Sequence, residues 1–256
     1  MLALKNVSKI YGSRKVLDAV SFQIDPKESV CILGPTGAGK SVLLSLLIGA
    51  EMPTSGMITI DSADLRTIPR PALQIFRRNV GIVFQDAKLL SNRSVSENIA
   101  FPMETKGTSE EMIERRVTEL LRKMDLTDRR DALPHQLSAG EKSRTAIARA
   151  VAHKPLILIA DEPLQNLDAR QAQNALQLFR ELQATGTTVI VLTRDPALAQ
   201  SLSIRVVRLE NGKVAGEDRR EPSREEAMQT PKELVKTHVE AIEKRRKVRV
   251  TAIHSE

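Results

Sequence analysis

The octapeptide Gly34-Pro35-Thr36-Gly37-Ala38-Gly39-Lys40-Ser41 constrains this chain more than any other stretch. It fits the pattern G-x-x-x-x-G-K-[ST] at every fixed position. The apolar run Val30-Cys31-Ile32-Leu33 before it reads as a buried strand, and Val42-Leu43-Leu44-Ser45-Leu46-Leu47-Ile48 after it reads as a helix. A strand that turns through glycines directly into a helix is a unit of an α/β fold. Glycines let the backbone approach phosphate oxygens closely. The helix N-terminus offers unpaired N–H groups and the positive end of its dipole to an anion. Lys40 then reaches the β- and γ-phosphates of a nucleotide, and Ser41 ligates Mg²⁺. A glycine-rich turn that binds nothing is the alternative, and the flanking strand and helix argue against it.

The rest of the chain repeats this rhythm. Residues 29–33, 80–84, 156–160, 188–192 and 205–209 are short apolar runs, as strands buried on both faces of a parallel sheet should be. Helices are expected at 40–49, 110–124, 139–153, 169–185 and 222–246. Residues 2–24 and 57–60 read as antiparallel strands, and residues 86–133 read as a mostly helical subdomain inserted between strands. With aromatics at 2% and no Trp, the core must rest on Leu, Ile, Val and Ala. The one cysteine, Cys31, excludes an intramolecular disulfide and fits a reducing compartment. Met1-Leu2-Ala3-Leu4-Lys5 starts no signal-peptide pattern. No apolar run approaches the ~18 residues of a membrane span. A soluble protein is expected, with any membrane role exerted through a partner. A net charge of +7 points to an acidic partner, such as nucleic acid or an anionic membrane face, without choosing between them.

Residues 217–256 form a separate, charge-dense tail ending in Lys244-Arg245-Arg246-Lys247-Val248-Arg249, with an apolar stripe of Leu234, Val235, Val239 and Ile242 at helical spacing. It reads either as a solvated helix docked on the domain or as a basic segment lying against anionic lipid or a partner.

Two further motifs narrow the chemistry. Leu156-Ile157-Leu158-Ile159-Ala160 runs into Asp161-Glu162. Paired acids at the C-terminal end of a buried strand need a reason, and that edge is where α/β sheets bind ligands. Asp161 is expected to hold Mg²⁺ and Glu162 to act as general base on the attacking water. Two solvated acids are the bland alternative. Leu137-Ser138-Ala139-Gly140-Glu141 precedes an apolar-periodic helix whose N-terminus is an anion site without a lysine of its own. Ser138 could equally be a plain helix cap, and both roles are compatible.

With these motifs in this order, residues 2 to 215 resemble the ATP-binding subunit of ABC transporters, whose signature is L-S-G-G-[EQ]. The resemblance implies an ATPase with ATP and Mg²⁺ as its ligands. It implies a P-loop NTPase fold of ABC type: a mixed, largely parallel core sheet, an antiparallel β subdomain and an inserted helical subdomain, within residues 1–216. It implies that Tyr11 stacks on adenine, that Gln85 senses the γ-phosphate and Mg²⁺ and that Asn166-Leu167-Asp168 is the D-loop. Ser41, Gln85 and Asp161 would hold the metal. It also implies a head-to-tail homodimer in the ATP-bound state, in which Ser138 and Gly140 complete the partner's site. No nucleic acid is then expected. The stretch Arg77-Arg78-Asn79-Val80-Gly81-Ile82-Val83-Phe84-Gln85-Asp86, with Leu89-Leu90 and Arg93-Ser94-Val95-Ser96-Glu97-Asn98-Ile99-Ala100, is similar to the cell-division branch of the family. Lipoprotein-release and macrolide-export branches share much of it. That branch is cytoplasmic and peripheral at the inner face of the cell membrane, through an integral membrane partner. Leu89 and Leu90 would receive the partner's coupling helix, or else pack in the core.

Three positions depart from the family pattern. Ala139 replaces the first signature glycine, Leu164-Gln165 stands where Thr-Gly is usual, and Arg194, in Thr193-Arg194-Asp195, replaces the switch histidine. An arginine there either neutralises charge developing on the transferred phosphoryl group or holds ATP in its ground state and slows hydrolysis.

Overall fold

A computed structural model describes residues 2–218; the expected helix at 222–246 and the basic run at 244–249 lie outside the described residues. The strands are β1 (Leu2–Tyr11), β2 (Arg14–Ile24), β3 (Ser29–Leu33), β4 (Ser55–Ile60), β5 (Ala63–Asp64), β6 (Val80–Val83), β7 (Ile157–Asp161), β8 (Thr188–Thr193), β9 (Arg205–Glu210) and β10 (Lys213–Asp218). The α-helices are α1 (Lys40–Leu47), α2 (Arg70–Arg78), α3 (Val95–Glu104), α4 (Glu110–Lys123), α5 (Ala139–Ala152), α6 (Ala169–Ala184) and α7 (Pro196–Leu202).

One sheet has the order β2-β1-β4-β5 and is antiparallel throughout. The other has the order β10-β9-β3-β8-β7-β6 and is parallel except at β10, which pairs antiparallel with β9. The fold is therefore the α/β cassette expected from the sequence. β10 continues through Asp218, past the boundary drawn after Gly216. Register fixes what meets at the sheet edge. Leu33 of β3 lies opposite Thr193 of β8, and Asp161 of β7 lies opposite Leu192. The C-terminal ends of three strands thus converge where the phosphate loop leaves β3, the edge at which such sheets bind ligands.

The two sides of the parallel sheet bury different clusters. Val30, Ile32, Ile159, Ile190 and Leu192 face α1 and the antiparallel sheet. Cys31, Leu158, Val189 and Val191 face α5 and α6. The second cluster runs without a break into α3 and α4 through Met103, Val117, Leu120 and Leu121, so the helices between β6 and β7 share a core with α5. Burial pushes the Cys31 thiol up to about 12, so it is a packed, inert group.

At Gly81 the backbone of β6 packs directly against α5. A Cβ there would lie 2.1 Å from the carbonyl oxygen of Ala150. Gly81→Ala is therefore expected to lower the thermal unfolding midpoint by several degrees, since overpacking a core costs about 1–3 kcal/mol. An unchanged midpoint would mean that α5 can shift away freely.

Candidate active site

The phosphate loop is locked from below. The N–H of Gly34 donates to the carbonyl of Thr193 at 3.0 Å, and a Cβ on Gly34 would lie 2.2 Å from the carbonyl oxygen of Leu209. Gly39 has φ of 101°, open to glycine at little cost, and caps α1 with no side-chain hydrogen bond. The first turn of α1 holds no acidic residue, so its N–H groups and dipole face the loop unopposed. Lys40 is 7% exposed; its ammonium donates to the carbonyls of Gly34 at 2.8 Å and Pro35 at 3.1 Å and stands 3.6 Å from Oε1 of Glu162.

The two acids after β7 take different environments. Oδ2 of Asp161 accepts the Ser41 hydroxyl at 2.6 Å, while its Oδ1 is buried without any hydrogen-bond partner. Burial raises the Asp161 carboxyl above the usual carboxylate range, against the pull of Ser41 and Lys40. A buried, half-satisfied carboxylate beside a hydroxyl is a hard-oxygen donor set that suits Mg²⁺. Glu162 has φ of 46°, a sparsely populated conformation for a side-chain-bearing residue. That backbone turn brings its carboxylate beneath β8, where Oε2 accepts the Thr193 hydroxyl at 2.9 Å and Oε1 accepts the Arg194 N–H at 3.0 Å.

These groups line a cleft of about 380 Å³ with Tyr11, Thr36, Gly37, Gly39, Gln85 and Arg194. Of the expected loop residues, Pro35 contributes its carbonyl to Lys40, and Ala38 is packed in the core beneath the loop. The Tyr11 hydroxyl donates to Glu51, and the Lys9 ammonium lies 5.0 Å from the Tyr11 ring centre. Burial, reinforced by Glu51, pushes the phenol up to about 12, so it stays a neutral donor. Gln85 leaves β6 into a turn in which Ala87 and Lys88 have positive φ; the Arg149 guanidinium holds that turn through the carbonyls of Ala87 and Lys88, both at 2.8 Å. Leu89 packs against the core and Leu90 lines a groove between β6 and α3.

Arg14, Val16 and Gln165 line the cleft as well, and sequence reasoning did not assign them to it. Gln165 accepts the side-chain amide of Gln85 at 3.1 Å. Arg14 pairs with Tyr11 across the β1–β2 turn, a proximity that the hairpin reading could have suggested.

Ser138 and Gly140 do not line the cleft. Ser138 caps α5: its hydroxyl accepts the N–H of Glu141 at 3.2 Å, and Glu141 reaches back to the N–H of Ser138 at 2.8 Å. The Ser138 N–H, with Arg129 beside it, brings the Glu141 carboxyl down to about 2. A Cβ on Gly140 would lie 3.1 Å from the carbonyl of Asn166, in the D-loop. Ser138 and Ala139 are exposed. Each chain thus carries a capped helix N-terminus on its surface, apart from its own Lys40.

A strand–loop–helix phosphate cradle, a strand-end acid pair and a separate helix-capping signature define an ATPase cassette. The ABC transporter family profile matches residues 17–165, and the chain belongs to that family. It is 40% identical over 217 residues to the cell division ATP-binding protein FtsE of Escherichia coli K12, covering 84% of this chain and 98% of FtsE. It is 39% identical over 220 residues to the methionine import ATP-binding protein MetN of Mannheimia succiniciproducens, covering 84% of this chain and 64% of MetN. Among solved structures, the dimeric post-hydrolysis state of the ATP-binding cassette MJ0796 bound to ADP and Pi superposes with a TM-score of 0.79 at 34% identity, over 85% of this chain and 98% of that one.

Proposed function

We propose that this chain is the ATP-hydrolysing subunit of a membrane complex like that of FtsE and its integral membrane partner FtsX, acting in cell division and the control of cell-wall hydrolysis. The observation that carries the hydrolytic part is the Glu162 carboxylate, fixed 3.6 Å from the Lys40 ammonium at the mouth of the phosphate loop. Lys40 and the N–H groups of α1 bind the β- and γ-phosphates, Tyr11 stacks on the base, and Ser41, Asp161 and Gln85 hold Mg²⁺. The metal, when bound, draws charge off the transferred phosphoryl group. Glu162 takes the proton of the attacking water.

The surface position of Ser138 and Gly140 supports a composite site, in which two chains meet head to tail and each signature helix closes the other's cleft. The MJ0796 cassette is a dimer of this fold. Residues 1–216, extended through Asp218 by β10, serve as the ATP-binding unit and residues 86–133 as its inserted helical part, and the charged sequence that follows is proposed to contact anionic lipid. Among the described residues no helix is long and apolar enough to cross a membrane. Peripheral attachment at the inner face of the cell membrane through the partner is part of this proposal. The groove lined by Phe84, Lys88, Leu90 and Phe101 is the place for the partner's coupling helix. ATP turnover by the full chain reconstituted with the FtsX-like partner tests this reading: stimulation by the partner supports it, and no stable complex with that partner counts against it.

A second reading, an ATP-dependent dimerisation switch with weak hydrolysis, rests on Arg194. Its side chain lines the cleft where the family usually has histidine. A fixed positive charge binds ATP and transition state alike, and uniform binding does not accelerate chemistry. Arg194→His is therefore expected to raise turnover severalfold; a fall would mean that the guanidinium stabilises the transition state.

A further inference from the structure

Glu162 can act on water only if its carboxylate is held still, and the side chain that holds it is that of Thr193, the residue before Arg194 in the switch segment. Thr193, the last residue of β8, is 2% exposed. Its hydroxyl donates to Oε2 of Glu162 at 2.9 Å and accepts the N–H of Asp195 at 3.1 Å, so both its capacities are used. Its carbonyl accepts the N–H of Gly34, the first residue of the phosphate loop, at 3.0 Å. Its Cα neighbour across the sheet is Leu33, which enters that loop. The main chain of Glu162 is pinned to the same strand, its N–H donating to the carbonyl of Leu192 at 2.8 Å.

We infer that Thr193 is a positioning residue for catalysis: its hydroxyl, with the N–H of Arg194, fixes both oxygens of the Glu162 carboxylate beside the phosphate loop. The inference rests on the role of Glu162 proposed above. Three physical points carry it. A carboxylate in an uncommon backbone conformation needs surrounding contacts to define it, and here they come from Thr193, the buried last residue of β8, and from the backbone N–H of the residue after it. A hydroxyl whose proton goes to Glu162 and whose lone pair is taken by Asp195 has one orientation rather than three. The same residue anchors the loop by its carbonyl, so displacement of the loop and of the base are mechanically linked. Fixing a reacting group to a fraction of an ångström is worth orders of magnitude in rate.

The test is single-turnover hydrolysis of Mg·ATP by the full-length chain, with equilibrium ATP binding measured in parallel. Thr193→Val, which keeps the shape and removes the hydroxyl, is expected to lower the hydrolysis rate about 10- to 100-fold while ATP affinity changes less than about twofold. Thr193→Ser, which keeps the hydroxyl, is expected to restore the rate to within about threefold of the unmodified chain. In a Glu162→Gln background, Thr193→Val is expected to change the residual rate less than about twofold, because residues acting as a unit are not additive. The inference is overturned if Thr193→Val hydrolyses ATP at the unmodified rate or faster. It is equally overturned if Thr193→Ser is as slow as Thr193→Val, or if Thr193→Val slows the Glu162→Gln protein as much as the unmodified one. Should Thr193→Val fail to fold, the Thr193→Ser rate and its product with Glu162→Gln decide. An unmodified chain that binds ATP and never turns it over removes the hydrolytic reading, and this inference with it, before any variant is made.

Discussion

Glu162→Gln is expected to lower ATP turnover by about 10²–10⁴-fold, the usual contribution of a positioned general base, with ATP binding preserved. A glutamine is nearly isosteric and can still accept the Thr193 hydroxyl or the Arg194 N–H, so the strand end should keep its shape. What it cannot do is take a proton from water. Lys40 loses the anion 3.6 Å away and is freer to serve the nucleotide, so affinity should hold or improve. Single-turnover hydrolysis with equilibrium binding separates the two quantities. Equal turnover by both proteins would mean that the water is activated elsewhere, and Gln85 would be the next residue to change.

Lys40→Ala is expected to act on the other quantity. The ammonium is almost wholly enclosed, donating to two loop carbonyls and facing Glu162. With ATP bound the ammonium would pair with the phosphates, and truncating one partner of a buried, hydrogen-bonded charge pair across an interface costs about 2–5 kcal/mol. At ~1.4 kcal/mol per tenfold, ATP affinity should fall roughly 30-fold or more. The variant also leaves the Glu162 carboxylate without its nearest cation, so part of the loss is local rearrangement of the loop. Titration with ATP in the presence and absence of Mg²⁺ measures it. An affinity within a fewfold of the unmodified chain would show that the α1 N–H groups and the metal site suffice to hold the phosphates.

The parallel core was legible because its strands are apolar on both faces: all six residues of β8 are buried, and the sequence reads accordingly. Edge elements were not. β10 has no fully buried residue and sets charged ends around a short Val-Ala-Gly centre, so its composition resembles a loop. α2 begins at a proline cap with another proline in its first turn, and its apolar face is short, with Leu73 buried and Phe76 half-buried, too little to read as a helix of nine residues. α7 is seven residues long, too short for its alanines and leucines to show a helical period.

At the site, the residues carried by fixed motifs could be named from sequence because spacing along the chain sets their geometry. Gly34, Lys40, Ser41, Asp161 and Glu162 are of this kind, and the structure brings Lys40, Ser41, Asp161 and Glu162 to one cleft. The clamp on Glu162 depends instead on the register of β7 against β8, which places residues more than thirty positions apart in hydrogen-bond reach. The link from Gln85 to Gln165 depends likewise on two loops meeting in space. No local pattern encodes either contact. Ser138 illustrates the middle case: its capping box could be read from S-x-x-E spacing, but its separation from Lys40 required the fold.

In the proposed assembly one chain supplies the phosphate loop and catalytic carboxylate, and a second supplies the signature helix. The molecular mass and bound nucleotide of the full-length Glu162→Gln protein, measured together by sedimentation in Mg·ATP and in Mg·ADP, test it most directly. A dimer carrying two ATP molecules is expected in Mg·ATP and a monomer in Mg·ADP, with Ser138→Arg abolishing the dimer while each chain still binds ATP. A protein that binds ATP and remains a monomer at every concentration would contradict it.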